Sequence, residues 1–167
     1  MKTITHVESI ETFGLSIKIT TSQTQNAILI QKHWMHFNTE IQRLKLSQNT
    51  ANWVKYGFTY KVSEKYFYCA AIPFSGQQLP ENFQRLSIPK GVYIVFEHAG
   101  KMDDIKNTIY MIYKVELSKA IVQVEDHLKV GFIHFEKYDS RFNWNNPQSV
   151  FEIHLPLKSS SGFKLMS

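Results

Sequence analysis

Between residues 24 and 44, apolar side chains recur at alternating steps of three and four: Ala27, Ile30, Trp34, Phe37, Ile41 and Leu44. That spacing puts all six on one stripe of a helix and predicts Trp34 and Phe37 as core residues. A second stripe, Met102, Ile105, Ile109 and Ile112, predicts a helix from about Met102 to Lys119. Asp103 and Asp104 fall in its first turn, where the helix dipole favours negative charge. Tyr110, Tyr113 and Leu117 form a shoulder beside the stripe, at the edge of the packed surface where a groove can open.

The rest of the chain reads as strands. Residues 7–20 are rich in Ile and Thr, and residues 56–62 and 66–74 flank a short turn at Ser63-Glu64-Lys65. Strands are also predicted at 91–98, 132–139 and 149–157, with breakers at Leu79-Pro80-Glu81-Asn82 and Ile88-Pro89-Lys90-Gly91. The order strand, helix, strand, strand occurs twice. The halves also match weakly: Tyr66-Phe67-Tyr68-Cys69-Ala70-Ala71-Ile72-Pro73-Phe74 lies over residues 149–157, so that Cys69 corresponds to Glu152. The expected fold is α+β: two similar units, residues 5–74 and 83–158, form one antiparallel sheet with two main helices. A single domain over 1–158 is expected, followed by a flexible tail at 159–167. A pseudo-twofold arrangement leaves a groove between the halves, a common place for a ligand.

Composition narrows the function. Aromatic residues reach 14%, which suits both a β-rich core and an aromatic-lined pocket. The net charge of +5 is dispersed without a run of like charges, so a solvated surface is expected rather than direct nucleic-acid binding. Cys69 is the single cysteine, which rules out an intrachain disulfide and fits a reducing cytoplasm. No signal peptide or membrane-length apolar run is visible. The seven histidines form no metal-ligand spacing, and there is no phosphate-binding glycine loop or nucleophile elbow, so neither metal nor cofactor is expected.

Four segments carry a resemblance. They are residues 88–100, with Pro89, Gly91 and Tyr93 before a strand ending in Phe96, His98 and Gly100; Phe135-Glu136-Lys137-Tyr138; Phe151-Glu152-Ile153-His154-Leu155-Pro156-Leu157-Lys158; and Tyr56-Gly57 with the strand 66–74. In this order and spacing the chain resembles the GyrI-like (gyrase-inhibitor-like) superfamily of bacterial-regulator effector-binding domains, over about residues 5–158. The resemblance implies a small-molecule binder for bulky cationic or aromatic compounds. With no helix-turn-helix ahead of the domain, a stand-alone binder is expected. An alternative within the same resemblance is a hydrolase acting on cyclopropane-containing DNA-alkylating compounds, and a further one is association with DNA gyrase.

The candidate ligand residues are Glu136 and Glu152, with Tyr110, Tyr68 and Tyr138. Glu136 and Glu152 lie on strands expected to pair, and in many registers their carboxylates share a face. They are either exposed on a solvated face or aimed into a pocket, and the resemblance maps the family's binding carboxylates onto them. A carboxylate in an apolar pocket is costly unless paired, and a delocalised organic cation supplies the missing charge. Aromatic faces add cation–π attraction. The tyrosine of the second helix, Tyr110, is expected from the resemblance to reach the ligand. Trp53 and Trp144 are read as plugs at the end of the core or as lids.

Overall fold

Among the described residues eight strands pair antiparallel into one curled sheet in the order β1-β6-β8-β7-β3-β4-β2-β5. They are β1 (Lys2–Val7), β2 (Ile10–Ile19), β3 (Lys55–Val62), β4 (Lys65–Pro73), β5 (Gln84–Ile88), β6 (Gly91–Ala99), β7 (His134–Tyr138) and β8 (Val150–Pro156). The computed structural model describes residues 2–47, 53–117 and 123–158. The expected tail at 159–167 and the expected end of the second helix near Lys119 lie outside the described residues.

Read inward from its two edges, the sheet has the same plan twice. β2, β4 and β3 from the first half face β6, β8 and β7 from the second, and the halves join where β3 pairs with β7. The outermost strand at each edge is exchanged. β1 pairs with β6 rather than with β2, from which only Glu8 and Ser9 separate it, and β5 pairs with β2. These two edge strands correct the sequence reading, which began its first strand at residue 7 and placed breakers at 79–82 and 88–91 with no strand between them. Exposure explains the miss for β1: its first five residues are all exposed, so no in–out alternation is written into them.

Helix α1 spans Gln23–Arg43, close to the predicted stripe. Ser22 caps it, its side chain accepting from Gln25 N–H at 3.3 Å. Asn26 ties the first turn to the end of β2 through Thr20, donating to its carbonyl and accepting from its amide, both at 2.8 Å. The second helical segment is irregular. A 3₁₀ turn at Met102–Asp104 leads into α2 (Ile105–Tyr110), and a wider π-helical stretch follows at Met111–Glu116. A short helix α3 (His127–Val130), absent from the sequence reading, is capped by Asp126 and ended by Gly131 at φ 92.

The sheet buries both faces. On the helix side, Trp34 and Phe37 of α1 pack with Phe13, Tyr68, Phe96, Phe151, Ile153 and Leu155 of the sheet. The opposite face packs Tyr56, Phe58, Tyr93, Phe132 and Phe135. Among the described residues no helix is long and apolar enough to cross a membrane.

Candidate functional site

Strand β7 lies at the junction of the halves, so alternation along it sends His134, Glu136 and Tyr138 toward the helices. Opposite them on β3 stand Thr59, Gly57 and Lys55. Gly57 has no side chain, and the tip of Tyr68 from β4 fills the space above it. A Cβ at Gly57 would overlap the Tyr68 hydroxyl and come within 2.6 Å of Glu136 Oε1. In that space Tyr68 donates its hydroxyl proton to Glu136 Oε1 at 2.6 Å and accepts one from Trp34 Nε1 at 2.9 Å. Tyr138 lines the same cavity floor beside the Glu136 carboxylate.

Glu136 is 7% exposed. Among the described residues no lysine, arginine or histidine nitrogen lies within 4 Å of its carboxylate. Burial raises its pKa to about 7, against which the hydrogen bond from Tyr68 and the nearby Tyr138 hydroxyl act. Its neighbour His134 is pushed down to about 4 by burial, so it is neutral and supplies no countercharge. The Tyr113 hydroxyl lies 2.7 Å from His134 Nδ1.

Above this cluster is a cavity of about 170 Å³ between the two helices. Tyr68, Glu136, Tyr138, His134 and Thr59 form its floor; Asn26, Ala27 and Ile30 of α1 and Met102, Ile105 and Ile109 of the second helical segment form its walls. A neighbouring cavity of about 220 Å³, lined by Trp34, Asn38, Trp53, Lys55 and Phe142, shares Tyr138 and Trp144 with it. A further cavity of about 560 Å³ at the end of α1 has Lys55 as the one charged side chain among its described lining residues and no carboxylate among them for a cation.

Glu152 is elsewhere. The β7–β8 register sets Lys137 opposite Glu152 and Glu136 opposite Ile153, so the two carboxylates occupy opposite faces of the sheet. This corrects the expectation of a shared face. Phe135 lies on the Glu152 side, whereas Phe151, Ile153 and Leu155 pack under the helices. The Glu152 carboxylate is also occupied: Oε1 is 2.9 Å from His154 Nε2, and Oε2 accepts from Arg141 Nη2 at 3.0 Å. His154 and then Arg141 and Lys137 hold its pKa below the usual value, with burial opposing them.

Tyr68 and Tyr138 thus meet Glu136, and Tyr110 does not. Its side chain is 61% exposed and lines neither the Glu136 cavity nor its neighbour. The residue from its helical segment that reaches β7 is Tyr113, within the π-helical stretch. The sequence reading missed four further site residues: Trp34, Gly57, Thr59 and His134. Two left a signal. An indole buried at a core position still needs an acceptor for its N–H. A glycine inside the strand pattern 56–62 marks a close approach of other atoms.

The sequence profile of Cass2, described as integron-associated effector binding protein, matches residues 3–157. No curated protein sequence matches. Three solved structures share the fold. SAV2435 bound to tetraphenylphosphonium aligns over 95% of this chain and 94% of its own at 17% identity, TM-score 0.70. The EcmrR C-terminal domain aligns over 96% and 98% at 14% identity, TM-score 0.61. An integron cassette protein from the mobile metagenome of Vibrio cholerae aligns over 94% and 95% at 13% identity, TM-score 0.57.

Proposed function

The chain belongs to the Cass2 family of integron-associated effector-binding proteins, within the GyrI-like superfamily, and on that premise we propose that it binds bulky aromatic cations over Glu136. The observation that carries this reading is a buried carboxylate, without a cationic partner among the described residues, on the floor of an aromatic-lined cavity. A bound organic cation supplies the missing charge and is weakly enough hydrated to enter. Tyr68, Tyr138 and Trp144 offer π-faces around it. Charge and aromatic surface impose little directionality, so cations of different outline are accepted in one site. The tetraphenylphosphonium held by SAV2435 supports the choice of ligand class.

Titration calorimetry with tetraphenylphosphonium at pH 8 tests this, with Glu136→Gln as the comparison. Saturable binding that the variant weakens by more than about tenfold is expected, as for loss of a desolvated charge pair. Equal affinity in parent and variant would refute the role of Glu136. Chromatography of the same mixtures separates binding from hydrolytic turnover.

A further inference from the structure

Lys55 is the group that the reading above leaves unexplained. It stands directly opposite Tyr138 in the β3–β7 register, two residues from Gly57. Lys55 and Glu136 are therefore diagonal neighbours, with Cβ atoms about 7–8 Å apart or somewhat less. Opposite charges so placed would ordinarily pair. Here they do not: Glu136 is held down by Tyr68, while the Lys55 ammonium rises to donate to Asn38 Oδ1 on α1 at 2.7 Å. Its nitrogen also lies 5.4 Å from the centre of the Trp53 ring. No carboxylate lies within 4 Å of it among the described residues. Lys55 is half-buried, and desolvation pulls its pKa down, so its charge is incompletely compensated.

The two charges open into different cavities that share Tyr138 and Trp144 as a common wall. The two cavities adjoin at those side chains, with a negative end at Glu136, a shared aromatic boundary and a positive end at Lys55. A simple cation satisfies the first end and is repelled by the second. A molecule carrying both signs satisfies both.

We propose that the cleft selects aromatic zwitterions, taking the cationic centre at Glu136, the aromatic body against Tyr138 and Trp144, and a carboxylate at Lys55. This rests on the reading of Glu136 as the partner of the cation, and adds Lys55 as the residue that sets specificity.

Rhodamine B and its ethyl ester test it, since they share one cationic aromatic body and differ in whether a carboxylate is free. Fluorescence anisotropy with the full chain reads both affinities. The parent is expected to bind rhodamine B several-fold more tightly than the ester. Lys55→Met weakens rhodamine B about tenfold, leaves the ester unchanged or tighter, and so abolishes the preference. Lys55→Arg, which keeps the charge, restores it. An ester bound as tightly as the free acid by the parent overturns the proposal, as does a Lys55→Met variant that weakens both dyes equally. The Glu136→Gln variant separates the two ideas. If it weakens the ester while the parent binds both dyes alike, Lys55 is dismissed and Glu136 stands. If it leaves the ester unaffected, or if neither dye binds, both readings fall.

Discussion

Two glutamates on neighbouring strands of this protein have opposite fates. Glu136 faces the helices, is buried, accepts a hydrogen bond from the Tyr68 hydroxyl and shares its cavity with a neutral histidine, His134. Glu152 faces the other side and is tied to His154 and to Arg141, which also holds Asp139 at 3.0 Å and stands 3.5 Å from Glu97. The strands are paired and the residue type is the same, so the difference comes from the partners each face supplies. The hydrogen bond from Tyr68 gives the carboxylate a donor but leaves its charge uncompensated. Arg141 and His154 meet both needs of Glu152. A glutamate of the first kind has a use for an incoming cation, and one of the second kind does not.

The contrast is broken or sharpened by substitution, with the largest effect expected at Glu136. Glu136→Gln should lower the affinity for tetraphenylphosphonium at pH 8 by about 2–5 kcal/mol, measured by calorimetry. Glu152→Gln is the matched control. If it costs as much, the assignment of the two faces is wrong.

Gly57→Ala comes next. The added methyl group collides with the hydrogen-bonded Tyr68–Glu136 pair. Overpacking of this kind costs about 1–3 kcal/mol in denaturant unfolding. The displaced carboxylate should weaken cation binding as well.

The acidity of Glu136 supplies a third test. With its pKa raised to about 7, the group is protonated in the empty site at lower pH. Affinity for a permanently charged cation should therefore rise with pH up to about 7 and level off above it. Stability runs the other way. The folded state binds the proton more tightly than the unfolded chain, so Glu136 favours folding below its ordinary pKa of 4.5, and that contribution is lost as pH rises through about 7. His134, held neutral by a pKa lowered to about 4, loses its contribution as pH falls below its ordinary 6.5. The two trends oppose one another, so thermal melts should be read as parent minus Glu136→Gln. That difference should fall between about pH 4.5 and pH 7 and be flat above.

Smaller effects are expected on the other face and on the outer side of the second helix. Glu152→Gln should leave cation affinity within about twofold of the parent and change stability by about 0–1 kcal/mol, the usual worth of a partly exposed ion pair. Tyr110→Ala should change neither, which a single titration and melt will show; weakened binding would mean that the helix turns toward the cleft when a ligand enters.

Local pattern alone determined a good deal of this protein. The stripe from Ala27 to Leu44 specifies α1 because a period of 3.6 can bury those residues in no other way. The strands 56–62, 66–74, 91–98 and 149–157 follow from alternation and turn residues, and the antiparallel α+β plan from their order. Glu136, Tyr68 and Tyr138 were visible as chemistry on strands. Tertiary structure alone decided which of these groups meet. A shift of one residue in the β7–β8 register would bring Glu136 and Glu152 to a shared face, and with both faces of the sheet buried the local pattern does not fix it. Only packing shows which tyrosine of the second helical segment turns inward: Tyr113, in the π-helical stretch, reaches β7, whereas Tyr110 is exposed. The exchange of β1 and β5 between the halves depends on pairings across about 70–95 residues, where local preference carries no information. Burial and a missing countercharge are properties of the assembled cleft, and they separate the one glutamate from the other.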